Sequence, residues 1–189
     1  MATLSAIVND ALMQIGSDPI TQGDYDTPVL ERARAVSAAW PFVFEHVLRR
    51  HSWNSAEVYA QLDADATAPL WGFSTRYALP ATLVKLLEVD TTQPWHVVGS
   101  YIYTDQTGDD LGIRYTTLPA TPDALDATLT DAISLFLACR ICKRITNSDA
   151  LTAQLYARWD DYLKTAKGID GEEQSDAELE DDTWVADRW

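Results

Sequence analysis

Cysteine and basic residues are scarce in this 189-residue chain, and long apolar runs are missing. The two cysteines, Cys139 and Cys142, form a single CxxC. Zinc needs four ligands, usually from a second such pair or from histidines. His46, His51 and His96 have no matching spacing. A redox CxxC opens a helix after a strand, whereas this one lies deep inside a helical pattern. The pair therefore reads as two small, half-buried side chains, and the core must form without disulfides or metals. Fourteen Lys and Arg stand against 29 Asp and Glu, a formal charge of −15. The compact basic runs are Arg49-Arg50 and Lys143-Arg144 alone. Phosphate-driven binding needs clustered cations, so a conventional nucleic-acid binder is not expected. No apolar run approaches the roughly 20 residues of a membrane helix. The opening MATLSAIVNDALMQIG lacks a basic region and carries Asp10, so a secretion signal is not expected and the protein reads as soluble and cytosolic when made.

Catalytic signatures are missing too. There is no Gly-rich phosphate loop and no nucleophile elbow. The adjacent pairs Asp109-Asp110, Asp160-Asp161 and Asp181-Asp182 fall in a turn, on a helix and near the end of the sequence. Adjacent residues do not face each other on a helix, so Asp160-Asp161 is a poor acid–base dyad. DQTGDD lacks the spacing of a calcium loop. His46 and His51, five apart, spread round a helix without a serine or cysteine partner in the sequence. No catalytic, cofactor or metal residue is assigned, and the expectation is a protein that is not an enzyme.

Hydrophobic periodicity is what the chain does have. Leu4, Ile7, Val8, Ala11, Leu12 and Ile15 mark an amphipathic helix stopped by Gly16. SDPITQGDYDTP reads as loop. Thr27-Pro28 reads as N-cap and first residue of a helix to Arg50. Pro41 should kink or split that helix near Ala38–Trp40, and its second half offers Phe42, Val43, Val47 and Leu48 to a core. After Trp53 the period changes to alternation, with Ala56, Val58, Ala60 and Leu62 on one side. Four or five short antiparallel strands are expected between residues 55 and 118, with a hairpin at Gly99-Ser100. Thr121-Pro122 repeats the helix-start signal for a helix to Ile145, whose Leu125, Leu129, Ile133, Phe136, Leu137, Ile141 and Ile145 form one stripe. Asn147 or Ser148 caps a last helix that ends at Gly168. The expected fold is α+β, mainly α: a four-helix bundle-like core with an inserted antiparallel β-sheet and a flexible acidic C-terminal tail. The boundaries are 1–54 for the N-terminal helices, 55–118 for the β insertion, 119–168 for the C-terminal helices and 169–189 for the tail.

Seven tryptophans and eight tyrosines are unusual for this length. Trp40, Trp53 and Trp159 fall on helical stripes or junctions and read as core. Trp71 and Trp95 read as loop residues beside prolines. Trp184 and Trp189 lie in the tail, among acids. Residues 170–189 hold nine acids and one base, so −8 of the total −15 lies there and −7 in residues 1–169. Two readings of the tail stand: a disordered solubilising end, or a disordered arm that docks its tryptophans in another subunit.

A helix ending in HSWNSA, then WGFSTRYALPA, then VVGSYIYTD, IRY and the long helix LTDAISLFLACRICKRIT follow one another in this chain. Their order and spacing, over about residues 4–168, resemble the tail tubular protein A family, the head-to-tail adaptors (connectors) of short-tailed bacteriophages, or podoviruses, and prophages. Pro41 departs from the family pattern, and the WVADRW end lies outside the resemblance. The resemblance implies a structural virion protein in the tail neck, assembled in the host cytoplasm. It implies a ring, dodecameric in related phages, between the portal protein and the tail nozzle protein, through which DNA passes during ejection without sequence-specific binding. Acidic walls suit such a conduit, since they repel phosphate within about 8–10 Å at physiological salt. Twelve copies would carry about −180, which opposes assembly. Apolar contacts must outweigh that repulsion, and Trp71, Trp95, Trp184 and Trp189 are the candidate interface residues. Two other readings stand beside this one: an acidic monomeric helical interaction protein, and an enzyme with a dispersed site.

Overall fold

Leu4–Gln14 (α1) is the first helix of the computed structural model, which describes residues 3–172 apart from 107, 109 and 120–124. The Thr3 hydroxyl accepts the Ala6 N–H at its start. Gly16, at φ +71°, ends it by sending its N–H to Met13 while Ser17 N–H reaches Leu12 O. The segment read as loop contains a short helix, Gln22–Asp26 (α2). Thr21 and Asp24 form a capping box there: the Thr21 hydroxyl accepts Asp24 N–H, and Asp24 accepts Thr21 N–H. Thr27 therefore closes α2 rather than opening the next helix.

Glu31–Arg50 (α3) starts after Leu30 and runs unbroken through Pro41. The expected break does not occur. Pro41 lies on the exposed face, while Val36 before it and Val43, Phe44, Val47 and Leu48 after it are buried in one core. Packing on both sides outweighs one lost backbone hydrogen bond. Phe42, expected inside, is 68% exposed, and Phe44 takes the core position instead.

Ala127–Thr146 (α4) is the central helix, packed against α1, α3 and the last helix, Asp149–Glu172 (α5). Every residue from Ala132 to Cys139 is buried, polar Ser134 included, so the middle of α4 is enclosed all round rather than along one stripe. Asp126 caps it, Oδ1 accepting the Leu129 N–H at 2.7 Å. The proposed start at Thr121-Pro122 lies outside the described residues. Asn147, in the left-handed region at φ 54°, ends α4, and the Ser148 hydroxyl accepts the Leu151 N–H at the start of α5. α5 does not stop at Gly168; it continues to Glu172. Cys139 and Cys142 are fully buried rather than half-buried.

Among the described residues between α3 and α4 there are six strands rather than four or five: Glu57–Asp63 (β1), Thr75–Ala78 (β2), Leu83–Val89 (β3), Trp95–Val98 (β4), Tyr101–Thr104 (β5) and Asp110–Thr117 (β6). They form two antiparallel three-stranded sheets, β1-β6-β3 and β2-β5-β4, in place of the single expected sheet. The alternation after Trp53 has its counterpart in register: Val58, Ala60 and Leu62 stand opposite Tyr115, Ile113 and Leu111. The β4–β5 hairpin turns at Gly99 with φ +61°, as its Gly-Ser pair predicts. Leu62, Val89, Leu111, Ile113 and Tyr115 of one sheet share a second core with Tyr77 and Ile102 of the other.

The fold is thus α+β and mainly α, with a helical core and a separate β core. They join where α3 ends. Val84 of β3 belongs to the helical core, and Arg49 Nη1 donates to Val84 O at 2.6 Å.

Candidate interaction surface

The junction at His51–Asn54 is where a chemical site would first be sought, and its geometry is that of a clamp. Trp53 is wholly buried, and its indole N–H donates to Val47 O at 3.1 Å. Val47 O is one of the last four carbonyls of α3, which have no partner within the helix. Asp170 of α5 is 2% exposed. Its Oδ2 lies 2.8 Å from His51 Nε2, its Oδ1 accepts the Asn54 N–H at 3.2 Å, and its carbonyl accepts Asn54 Nδ2–H at 2.8 Å. These bonds tie the two helix ends together. Asp170 had been counted with the acidic tail. The signal that places it inside is spacing: Leu155, Trp159, Leu163, Ala166 and Asp170 recur at helical intervals and are all buried.

His46 lies farther back on α3. It stacks on Phe136 with ring centroids 4.7 Å apart, and Phe136 in turn lies 4.5 Å from Trp159. Burial, then Arg50 and Arg140, hold its pKa below the ordinary value. On α4, burial pushes the Cys139 thiol up to about 12, far from the thiolate that redox or metal chemistry requires. Among the described residues no three His, Cys, Asp or Glu side chains are grouped to hold a metal ion, and no helix is long and apolar enough to cross a membrane.

The β layer presents a different arrangement. Residues 64–74 link β1 to β2 and are pinned at both ends. Asp65 N–H donates to Arg76 O at 2.9 Å, Asp65 Oδ1 accepts Thr67 N–H at 2.8 Å, and Ser74 N–H reaches Asp105 Oδ1 at 2.8 Å. The Thr67 N–H, aided by the Arg76 guanidinium at 3.1 Å, holds the Asp65 carboxyl below the usual carboxylate range. Between these anchors the tip projects outward. Leu70 is 101% exposed and Trp71 87%.

Behind the tip is an open cavity of about 580 Å³. Pro69, Leu70, Trp71, Phe73, Val98 and Tyr103 supply its apolar wall, and Arg76 and His96 are its ionisable groups. Phe73 meets the His96 ring edge-on at 5.7 Å, and the Arg76 guanidinium lies 4.6 Å from the centre of the Tyr101 ring. Among the described residues no carboxylate lines it.

β4 forms one rim. It is bonded only to β5 among the described strands, so its other edge is open, and all four of its residues are exposed. Side chains alternate across a strand. His96 and Val98 therefore face the cavity, while Trp95 and Val97 overhang the opposite side, where Tyr77 and Ile102 form the β core. Trp95 is a strand residue rather than a loop residue, and Trp71 and Trp95 lie on opposite faces of one sheet. Trp184 and Trp189 lie outside the described residues. Leu70, Phe73, Val97 and Val98 were not singled out from sequence. Their signal was the apolar run PLWGF in a segment otherwise rich in turn formers.

Exposed single apolar residues are ordinary, but contiguous ones mark contact sites. Here a leucine and a tryptophan at a braced tip, an acid-free apolar cavity and an open strand edge adjoin. Such a surface can bury an aromatic or aliphatic anchor and add a strand to the sheet. Compared with known proteins, the chain matches no family model, and no curated protein matches it significantly.

Proposed function

We propose that this chain is a structural protein of the virion, a head-to-tail adaptor that forms a ring between portal and tail nozzle in a short-tailed phage or prophage. Its partners are the portal protein, the nozzle protein and further copies of itself, and DNA passes through the ring without being read. Its role is mechanical, and no reaction is assigned to it. The observation that carries this reading is the braced, exposed Leu70-Trp71 tip over an acid-free cavity beside the open β4 edge. Copies of a chain with net charge −15 repel one another, and apolar patches of this kind can offset that repulsion. The sequence resemblance supplies the kind of assembly. The two separate cores fit it as well: the helices offer one body for packing around a ring and the β layer a second contact surface.

The test is assembly. The full chain is mixed with the portal protein of the same genome and followed by size exclusion with light scattering. A ring-sized complex is expected, and Leu70→Ser with Trp71→Ala should reduce it strongly while leaving the fold intact. A chain that stays monomeric with the portal would favour the second reading, an acidic helical interaction protein. The charge of −15 is compatible with that reading. Turnover of a substrate by the purified chain would overturn both.

A further inference from the structure

We propose that Arg50, Arg140 and His46 form a binding site for a single oxyanion, a carboxylate or phosphate group, on the helical core. The site belongs to the helices and not to the Leu70-Trp71 surface, and it does not depend on ring formation.

Three helices place these groups. His46 and Arg50 are one turn apart on α3, and the His46 ring accepts the Arg50 Nε–H at 3.1 Å. That ring lies flat on Phe136 of α4, with centroids 4.7 Å apart. Arg140 follows Phe136 by one turn, so both project from the same face of α4. From α5, Trp159 lies 4.5 Å from the Phe136 ring and Tyr156 meets it edge-on at 6.4 Å. The Arg50 guanidinium is 5.8 Å from the centre of the Trp159 ring. Phe136 and Trp159 are buried, while Arg50 and Arg140 are exposed. Two cations therefore stand at the solvent edge of an apolar floor.

Charge points to an anion. Arg32, Arg76, Arg114, Lys143, Arg144 and Lys164 each lie within 4 Å of a carboxylate. Among the described residues Arg50 and Arg140 have no such partner. Arg50 spends its Nε–H on His46, and its Nη groups and every Arg140 donor stay uncommitted. A chain with 29 acids and 14 bases has carboxylates to spare, yet none of the described ones is set against this pair. Asp160 of α5 acts on Cys139, the residue before Arg140, without pairing with either guanidinium. Glu45, adjacent to His46 on α3, does not face it. Burial, then Arg50 and Arg140, disfavour the His46 imidazolium, so both guanidiniums act on one ring. Like charges gathered at one place repel, and a bound anion relieves that repulsion.

The number of cations limits the ligand. A guanidinium takes one carboxylate or phosphate in a bidentate grip. A nucleic-acid backbone engages on the order of 6–10 phosphates, and the net charge of −15 repels it. The ligand is therefore one group rather than a polymer. Its negative charge favours the imidazolium, so His46 reports its arrival.

NMR of the His46 ring in the full chain tests this, with His46→Gln to assign the signal among the three histidines. Sodium phosphate and sodium acetate are titrated separately at about pH 7, where neutral and charged imidazole are both accessible, with ionic strength held constant by sodium chloride. A saturable shift of the His46 signal and a rise in its titration midpoint are expected. A response to acetate identifies a carboxylate as a ligand group, and a response to phosphate alone identifies a phosphate. Arg140→Gln should weaken binding about tenfold, the loss of one charge-assisted hydrogen bond. Arg140 is exposed and bonded to no other side chain among the described residues, so its replacement leaves the fold intact. Lys167→Gln removes one charge elsewhere on α5 and should leave binding nearly unchanged. An equal response to sodium chloride would show screening alone and overturn the inference. So would the lack of a saturable shift with either anion, or Arg140→Gln binding as tightly as the unaltered chain. None of these results bears on assembly with the portal, so the adaptor reading stands or falls separately.

Discussion

His51 Nε2 lies 2.8 Å from Asp170 Oδ2, across 119 residues of chain, and this contact ties the end of α3 to the last turn of α5. Asp170 also accepts the Asn54 N–H. Removing the carboxylate takes one hydrogen-bond partner each from His51 and the Asn54 N–H, both half-buried, and a hydrogen bond of this kind contributes about 1 kcal/mol. Asp170→Ala should therefore lower stability by about that amount in urea unfolding. Asp170→Asn keeps one side-chain acceptor and should cost less. Equal midpoints for all three proteins would mean that the clamp contributes nothing.

Trp53 combines two roles that a single substitution separates. Its ring fills the junction, and its N–H serves the Val47 carbonyl. Trp53→Phe keeps most of the ring and removes the donor, at a cost of about 1–2 kcal/mol. Trp53→Ala removes both and should cost about 3–5 kcal/mol. A phenylalanine variant as unstable as the alanine variant would place nearly all of the effect on the hydrogen bond.

His46 should give the folded protein a pH dependence. Its folded pKa lies below the ordinary 6.5, because burial, then Arg50 and Arg140, disfavour the imidazolium. The neutral ring also accepts the Arg50 Nε–H at 3.1 Å. A depressed folded value means that the unfolded chain takes up the proton first. The stabilising contribution is whole above about 6.5 and is lost as pH falls through that value towards the folded pKa. His46→Gln should flatten the stability profile between about pH 7 and 5, and an unaltered slope would remove His46 as its source.

The two thiols should be inert in the native protein. Both are buried, and the Cys139 thiol is pushed up to about 12. The thiolate is the reactive species, so a thiol reagent at neutral pH should label neither residue until denaturant is added, and then label both. Rapid labelling of the native chain would show that α4 opens locally.

Helix existence was legible in the chain, while helix ends and strand partners were less so. Leu4 to Ile15, closed by Gly16, could be read directly because the periodicity and the stop signal are local. Pro41 misled because local backbone chemistry predicts a break, whereas the core packed against both halves of α3 overrides it. α2 was missed because its capping box uses Asp24, where the common pattern has Glu or Gln. Of the candidate surface, Trp71 could be found from sequence as an aromatic without a core pattern. Its neighbours Val98 and Tyr103 could not, since they reach the cavity only through the pairing of β4 with β5.

The order of amino acids alone determined the alternation of helix and strand, the acidic balance and the lack of local motifs for metal or phosphate. These follow from periodicity, composition and short-range spacing. Only the tertiary structure decided that six strands divide into two sheets and that Asp170 belongs to the interior. It also decided that Trp71 and Trp95 occupy opposite faces of one sheet. Pairing between distant strands and burial against distant helices depend on groups that meet in space. No local period records such a meeting.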